Sequence, residues 1–222
     1  MIRSILTGGL GNQMFEYAAA KALALKLGKE LTLDLYALNK KTKGVKRDFE
    51  LDIFDISPTI SSSWKTKLLV KIFPFVDRNR SFFKKTFNYF RDRSAIVYCP
   101  KFENLRGNVI LHGHFQNENY FKTYENIIRQ EFTFKQDLDE KNLQLADKMT
   151  QTESVAVHIR RGDYLTDSNF ALCPKEYYQE AMNEIKQRVE KPFFFVFSQD
   201  FDWINENLTF DKEQVLFVDW NK

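Results

Sequence analysis

Apolar positions along this chain alternate between the rhythm of strands and the rhythm of helices. "IRSILT" (2–7) has the length and composition of a strand. "NQMFEYAAAKALALKLG" (12–28) follows at helical spacing, with Phe15, Ala18, Ala19, Ala22, Leu25 and Leu27 roughly on one side and Gly28 as its stop. "ELTLDL" (30–35) returns to strand. Residues 36–95 are less regular and read as an insertion. "NVILHGHF" (108–115) is the next strand, "ENYFKTYENIIRQEF" (118–132) the next helix, and "DLDEKNLQLADKMTQTE" (137–153) a polar helix. Beyond it the pattern is cleaner: strand 154–159, a helix over 174–190 with Pro174 in its first turn, strand "PFFFVFS" (192–198), a short helix, and strand "VLFVD" (215–219).

Strands alternating with helices predict an α/β class with parallel sheets. The two runs predict two Rossmann-like domains, 1–135 and 136–222, facing each other across a cleft. Ligands of such folds sit where strand carboxyl ends meet the following loops.

Composition narrows the partners. The chain has 222 residues, 43% of them hydrophobic, enough for real cores. Its net charge of only +3 makes no case for nucleic acid, so any anion binding must be local. Cys99 and Cys173 form neither a metal-ligand pair nor a disulfide framework and are expected to be buried free thiols in a reducing compartment. "MIRSILTGGLG" is too short an apolar run for a signal peptide, and no stretch reaches the roughly 18 apolar residues of a membrane helix, so a soluble cytoplasmic protein is expected. Residues 65–93 carry nine Lys/Arg against two Asp, interleaved with phenylalanines. They read first as a solvated basic face over an aromatic core. The second reading is a weak peripheral contact with an anionic membrane surface such as an inner membrane.

The chemistry concentrates in two stretches. "SVAVHIRRGD" (154–163) begins as a core strand and ends in cations. Strand alternation sets Val155, Val157 and Ile159 on one face and Ala156, His158 and Arg160 on the other, with Arg161 and Gly162 opening a turn. Asp163 is placed to hold an arginine or cap backbone amides. Paired guanidiniums at a strand end are expensive unless an anion meets them, and their forks match phosphate oxygens, so a diphosphate is the natural partner. A purely structural ion-pair cluster is the alternative. In the other stretch, "TGGLGNQMF", three of the eight glycines fall within Gly8–Gly11, between the first strand and helix. The backbone there turns tightly or lets a ligand approach, and a loop opening a helix offers amides to an anion. Met14 stands where a dinucleotide fingerprint needs its third glycine, and the GK[ST] of a P-loop is absent.

Taken together, "GGLGNQMFEYAAAKALA" (8–24), "GHFQNENYF" (113–121), "VAVHIRRGDYL" (155–165), "FVFSQD" (195–200) and "FVDWN" (217–221) resemble the bacterial α-1,2-fucosyltransferases of glycosyltransferase family 11. The resemblance implies a GT-B fold, GDP-fucose as donor, no cofactor, and metal-independent inverting transfer to a galactose 2-hydroxyl of a glycan acceptor. It implies that His158, Arg160, Arg161 and Asp163 contact GDP, that Gly9, Gly11 and Asn12 face the donor across the cleft, and that Ser198 and Asp200 lie near the nucleotide. Arg160 and Asn12 are the expected catalytic residues, 1–135 the acceptor side and 136–222 the donor-binding side. Glu16 and Gln199 stand where the family pattern has Gln and Asp. That pattern also continues past "FVDWN", which implies a truncated second domain.

Arginines aimed at the leaving diphosphate stabilise its growing charge without Mg²⁺. His112, His114 and Glu16 are candidate general bases among which spacing does not choose. Two alternatives remain open: a metal-dependent sugar transferase using "DLD" (137–139) or "DFD" (200–202), and a nucleotide- or glycan-binding module without turnover.

Overall fold

The computed structural model describes residues 1–38, 47–62, 66, 68, 88–165 and 171–221. They form two compact units, Met1–Asp137 and Leu138–Lys222. In the first, strands β1 (Ile2–Ile5), β2 (Leu31–Asp34), β3 (Thr59–Ser61), β4 (Asn88–Arg91) and β5 (Val109–His112) make one parallel sheet in the order β3-β2-β1-β5-β4. Helix α1 (Leu10–Leu27) follows β1, and α2 (Glu125–Glu131) closes the unit. In the second, α3 (Glu140–Thr150) leads into β6 (Glu153–Ile159), α4 (Lys175–Arg188), β7 (Pro192–Ser198), α5 (Phe201–Asn207) and β8 (Val215–Val218), with a parallel sheet in the order β6-β7-β8.

α1 runs along the first sheet on its alanines, whose small side chains allow close approach; Ala19, Ala20 and Ala24 pack with Ile2, Val109, Leu111 and Phe115. It ends where Gly28 adopts φ 59°, and that glycine's cap amide reaches back to Ala24 and Leu25. Its buried surface is wider than the expected stripe. Leu25 is exposed, while the polar Gln13 and Glu16 are fully buried, because both have hydrogen-bonding partners in neighbouring loops.

Residues 36–95 are not merely an insertion, since they supply β3 and β4, the outer strands of the sheet. These are three and four residues long with exposed or half-buried side chains, so they carry no hydrophobic period. The helix expected over 118–132 is two 3₁₀ turns followed by α2. The first strand stops at Ile5, two residues early. Cys99 is half-buried and Cys173 exposed, so neither is a core thiol. Of the basic stretch 65–93, residues 65, 67 and 69–87 lie outside the described residues. Among the described residues no helix is long and apolar enough to cross a membrane.

In the second unit β7 is central and apolar on both faces. Phe194 and Val196 meet Tyr178 and Met182 of α4 and Ile204 of α5, while Phe193, Phe195 and Phe197 pack on the side of Leu145 and Met149 of α3. Both sheets thus present their carboxyl ends with the loops that follow them.

Candidate functional site

In the first unit the glycine loop and the loop after β5 are tied together. Gly8 has φ +70°, and a Cβ there would stand 2.2 Å from Asn12 Nδ2, so the turn requires glycine. Gly9, with extended backbone, is the N-cap of α1 and brings no capping side chain, while a Cβ on Gly11 would meet nothing within 4 Å. Gln13 holds the loop from inside: its Nε2 donates to the carbonyls of Gly8 (3.1 Å) and Asp48 (2.9 Å), and its Oε1 accepts from Glu50 N (3.0 Å). Asn12 Oδ1 accepts from Gln116 Nε2 at 2.7 Å, bridging to the loop after β5.

That second loop is itself strained into place. Gly113 has φ +140° and sits so close to Asp92 that a Cβ would lie 2.8 Å from its carbonyl oxygen. Phe115, a buried aromatic, adopts φ 51°, and its N–H donates to Asp92 Oδ2 at 2.9 Å. A non-glycine residue in this region costs on the order of 1–3 kcal/mol and persists only where its surroundings over-determine it. Here they do so through the Asp92 bond and the packing of Phe115 on Phe102 and Tyr120.

Between Gly113 and Phe115 stands His114. Its Nδ1 lies 3.3 Å from Glu16 Oε1 and 3.4 Å from Thr7 Oγ1. Glu16 also accepts from Thr7 N (2.7 Å) and from Thr7 Oγ1 (2.5 Å). Burial pushes the Glu16 carboxyl up, against the hydrogen bonds from His114 and Thr7 that pull it down. His114 is raised above the ordinary histidine range, chiefly by its hydrogen bond to Glu16, with Asp92 adding to the effect. His112, by contrast, is tied through Nδ1 to Tyr89 Oη at 2.6 Å.

In the second unit the "HIRRGD" segment lies at the carboxyl end of β6. Val157 and Ile159 are buried, while Ala156, His158 and Arg160 are exposed, the faces that alternation predicts. The Arg160 guanidinium lies over the Tyr164 ring at 5.3 Å. Arg161 is built in more deeply: its Nε donates to Asp200 Oδ2 at 2.9 Å and its guanidinium stacks on Trp203 at 4.2 Å. The arginine beside it holds the Asp200 carboxyl below the usual range. Asp200 Oδ1 accepts from Trp203 N at 3.2 Å and so caps α5. Ser198 Oγ donates to the Ile159 carbonyl (2.8 Å) and accepts from Asp200 N (3.0 Å), locking the ends of β6 and β7 together. Arg161 thus takes its carboxylate partner from Asp200, 39 positions away; the Asp163 side chain, expected to hold an arginine or cap backbone amides, lies outside the described residues. Gly162 passes close to Gln199, whose Oε1 would be 2.8 Å from an added Cβ.

One carboxylate of each Asp-x-Asp triplet is engaged by neighbouring protein groups. Asp139 Oδ1 caps α3 through Asn142 N at 2.8 Å, and Asp200 is shared between α5 and Arg161. Thr7, Gln13, Gln116 and the Glu16–His114 pairing escape a linear reading, because their partners lie far along the chain.

Comparison with known proteins decides the family. The model of glycosyl transferase family 11 matches residues 1–221. The chain belongs to that family. An alpha-1,2-colitosyltransferase of Escherichia coli is 34% identical over 97% of this chain and 76% of its own. The O-antigen biosynthesis glycosyltransferase WbnK of Escherichia coli is 30% identical over 90% of this chain and 73% of its own. Among solved structures, fucosyltransferase NodZ from Bradyrhizobium superposes with a TM-score of 0.51 at 13% identity, covering 98% of this chain and 78% of that one, a likeness of fold. This family 11 chain is thus a glycosyltransferase of the GT-B class with parallel sheets.

Proposed function

We propose that this glycosyltransferase moves L-fucose from GDP-fucose to a galactose 2-hydroxyl of a glycan acceptor, with inversion and without a metal. The observation that carries the reading is the arginine pair at the end of β6, one member fixed by Asp200 and Trp203 and the other on the exposed face with His158. A guanidinium already oriented before the donor arrives loses little freedom on binding, so it favours the developing charge of the diphosphate. In this reading residues 136–222 bind the donor through His158, Arg160, Arg161 and Asp163, with Ser198 and Asp200 shaping the loop. Residues 1–135 take the acceptor, and Gly9, Gly11 and Asn12 approach the donor.

A second donor has a specific observation in its favour, the 34% identity to an alpha-1,2-colitosyltransferase. Colitose is fucose without its 3-hydroxyl, so the choice rests on one polar contact. Calorimetry with GDP, GDP-fucose, GDP-colitose and UDP-galactose, each with and without EDTA, tests the binding half, and transfer to methyl β-galactoside tests the reaction. Loss of GDP binding on chelation would sink the metal-free site. Equal affinity for UDP-galactose would sink the guanine-nucleotide reading. Binding without turnover would leave a binding module.

A further inference from the structure

Family membership does not say which group accepts the proton of the attacking hydroxyl, and the first unit contains a structure suited to that task. In the order β3-β2-β1-β5-β4 the winding changes side at β1, which pairs with β2 on one edge and β5 on the other. The crevice outside the carboxyl ends of β1 and β5 is therefore the topological switch point, where open parallel sheets receive ligands. Three elements converge there: Thr7 after β1, Glu16 on α1 and His114 after β5, with His114 Nδ1 and both Thr7 donors on one carboxylate.

The division of burial is what makes the arrangement chemical rather than structural. The Glu16 side chain is fully buried, while that of His114 is 42% exposed, so one partner is fixed and the other can meet a ligand. A carboxylate only accepts hydrogen bonds, so it keeps the imidazole proton on Nδ1. The two ring nitrogens lie on opposite sides of the imidazole, and anchoring Nδ1 turns a basic Nε2 away from Glu16. The two residues that follow His114 are pinned, Phe115 by Asp92 and Gln116 by Asn12, and β5 ends only two residues before it, so the ring is delivered from a rigid mount.

We propose that His114, oriented by Glu16, is the general base that takes the proton from the acceptor hydroxyl. The inference rests on the inverting transfer put forward above. The acceptor oxygen forms a bond to the anomeric carbon as the bond from that carbon to the diphosphate breaks, and GDP leaves with the electron pair. The hydroxyl proton passes to His114 Nε2, and the imidazolium then returns it to water. Glu16 is a positioning residue that stabilises this imidazolium.

Glu16→Gln is the discriminating variant. An amide that keeps Thr7 N–H on its oxygen presents its NH₂ to Nδ1, drives the imidazole proton to Nε2 and removes the base while preserving shape. We expect kcat for transfer to methyl β-galactoside to fall about a hundredfold or more, with GDP affinity and melting temperature held. His114→Ala should lose as much, and the double variant no more than either. The wild-type kcat should rise with pH through a value above the ordinary histidine pKa of about 6.5, since Glu16 and Asp92 both favour the imidazolium. Glu16→Gln should move that rise downward. Nitrogen-15 spectra of the unliganded protein should show the Nδ1–H tautomer in wild type and Nε2–H in Glu16→Gln. Wild-type kcat in Glu16→Gln or in His114→Ala, or losses confined to KM, would overturn the proposal while leaving the reaction intact. A wild-type protein that binds GDP but transfers neither fucose nor colitose to the galactoside overturns the reaction itself, and the base with it.

Discussion

Asp200 offers the sharpest test of how the arginine site is built, because one carboxylate serves two partners. Oδ2 accepts from Arg161 Nε and Oδ1 from the first-turn amide of Trp203. Asp200→Ala removes both. A hydrogen bond to a charged group contributes about 1.5–3 kcal/mol, and the lower end applies here because the side chains of Arg161 and Asp200 are 16% and 27% exposed. An N-cap contributes about 1 kcal/mol, and α5, with only seven residues, is too short to be stable without its cap and its packing. The sum is about 2–3 kcal/mol. Asp200→Asn is the informative control. Both neighbours are donors, and an amide has one acceptor oxygen, so it satisfies only one of them. Its loss should be about half that of alanine. At about 2–4 °C per kcal/mol for a chain of this size, alanine should lower the melting temperature by about 4–12 °C and asparagine by about 2–6 °C. Thermal unfolding followed by near-ultraviolet circular dichroism, which senses Trp203, reads both. Wild-type stability in Asp200→Ala would refute the brace. Equal losses in the two variants would show that the carboxylate charge acts alone and the cap contributes nothing.

The same carboxylate has a pH signature: its pKa is depressed in the folded state, so its stabilisation is present above the unfolded value of about 3.9 and is lost as pH falls through the lower folded value. The melting-temperature gap between wild type and Asp200→Ala should therefore narrow as pH falls below about 4, leaving the part due to the cap. Arg160→Lys keeps the charge of an exposed side chain but loses its fork, so GDP affinity should fall about ten- to hundredfold with little change in stability; a falling melting temperature with unchanged affinity would make Arg160 structural. The glycines of the first loop should separate in the opposite sense. Gly8→Ala, at φ +70° and against Asn12, should destabilise by about 1–3 kcal/mol, whereas Gly11→Ala, with open space around it inside α1, should stabilise by up to about 1 kcal/mol. If Gly11 faces the donor, the added methyl should weaken GDP-fucose binding despite that gain, and unchanged affinity would remove Gly11 from the donor site.

Local order decides a good deal of this protein before any packing is considered. The alternation that sends Val157 and Ile159 inward and His158 and Arg160 outward is a property of extended backbone, and the structure keeps it. The stop of α1 at Gly28 follows from the ease with which glycine takes a left-handed conformation. The switch from period two to helical spacing also announces a parallel α/β fold. What lies beyond such reasoning is every feature whose cause is distant along the chain. β3 and β4 look like irregular insertion because short outer strands owe their form to β2 and β5, not to their own residues. Gln13 and Glu16 look like the polar face of a helix, yet they are buried because Asp48, Glu50, Thr7 and His114 come to meet them. Asp200 looks like half of a metal motif until Arg161 is found 39 positions earlier on the same carboxylate. Among three candidate bases, spacing cannot choose. The choice of His114 over His112 depends on which carboxylate or phenol each ring meets, and only the pairing of β1 with β5 and β4 with β5 brings Glu16 and Tyr89 to those rings.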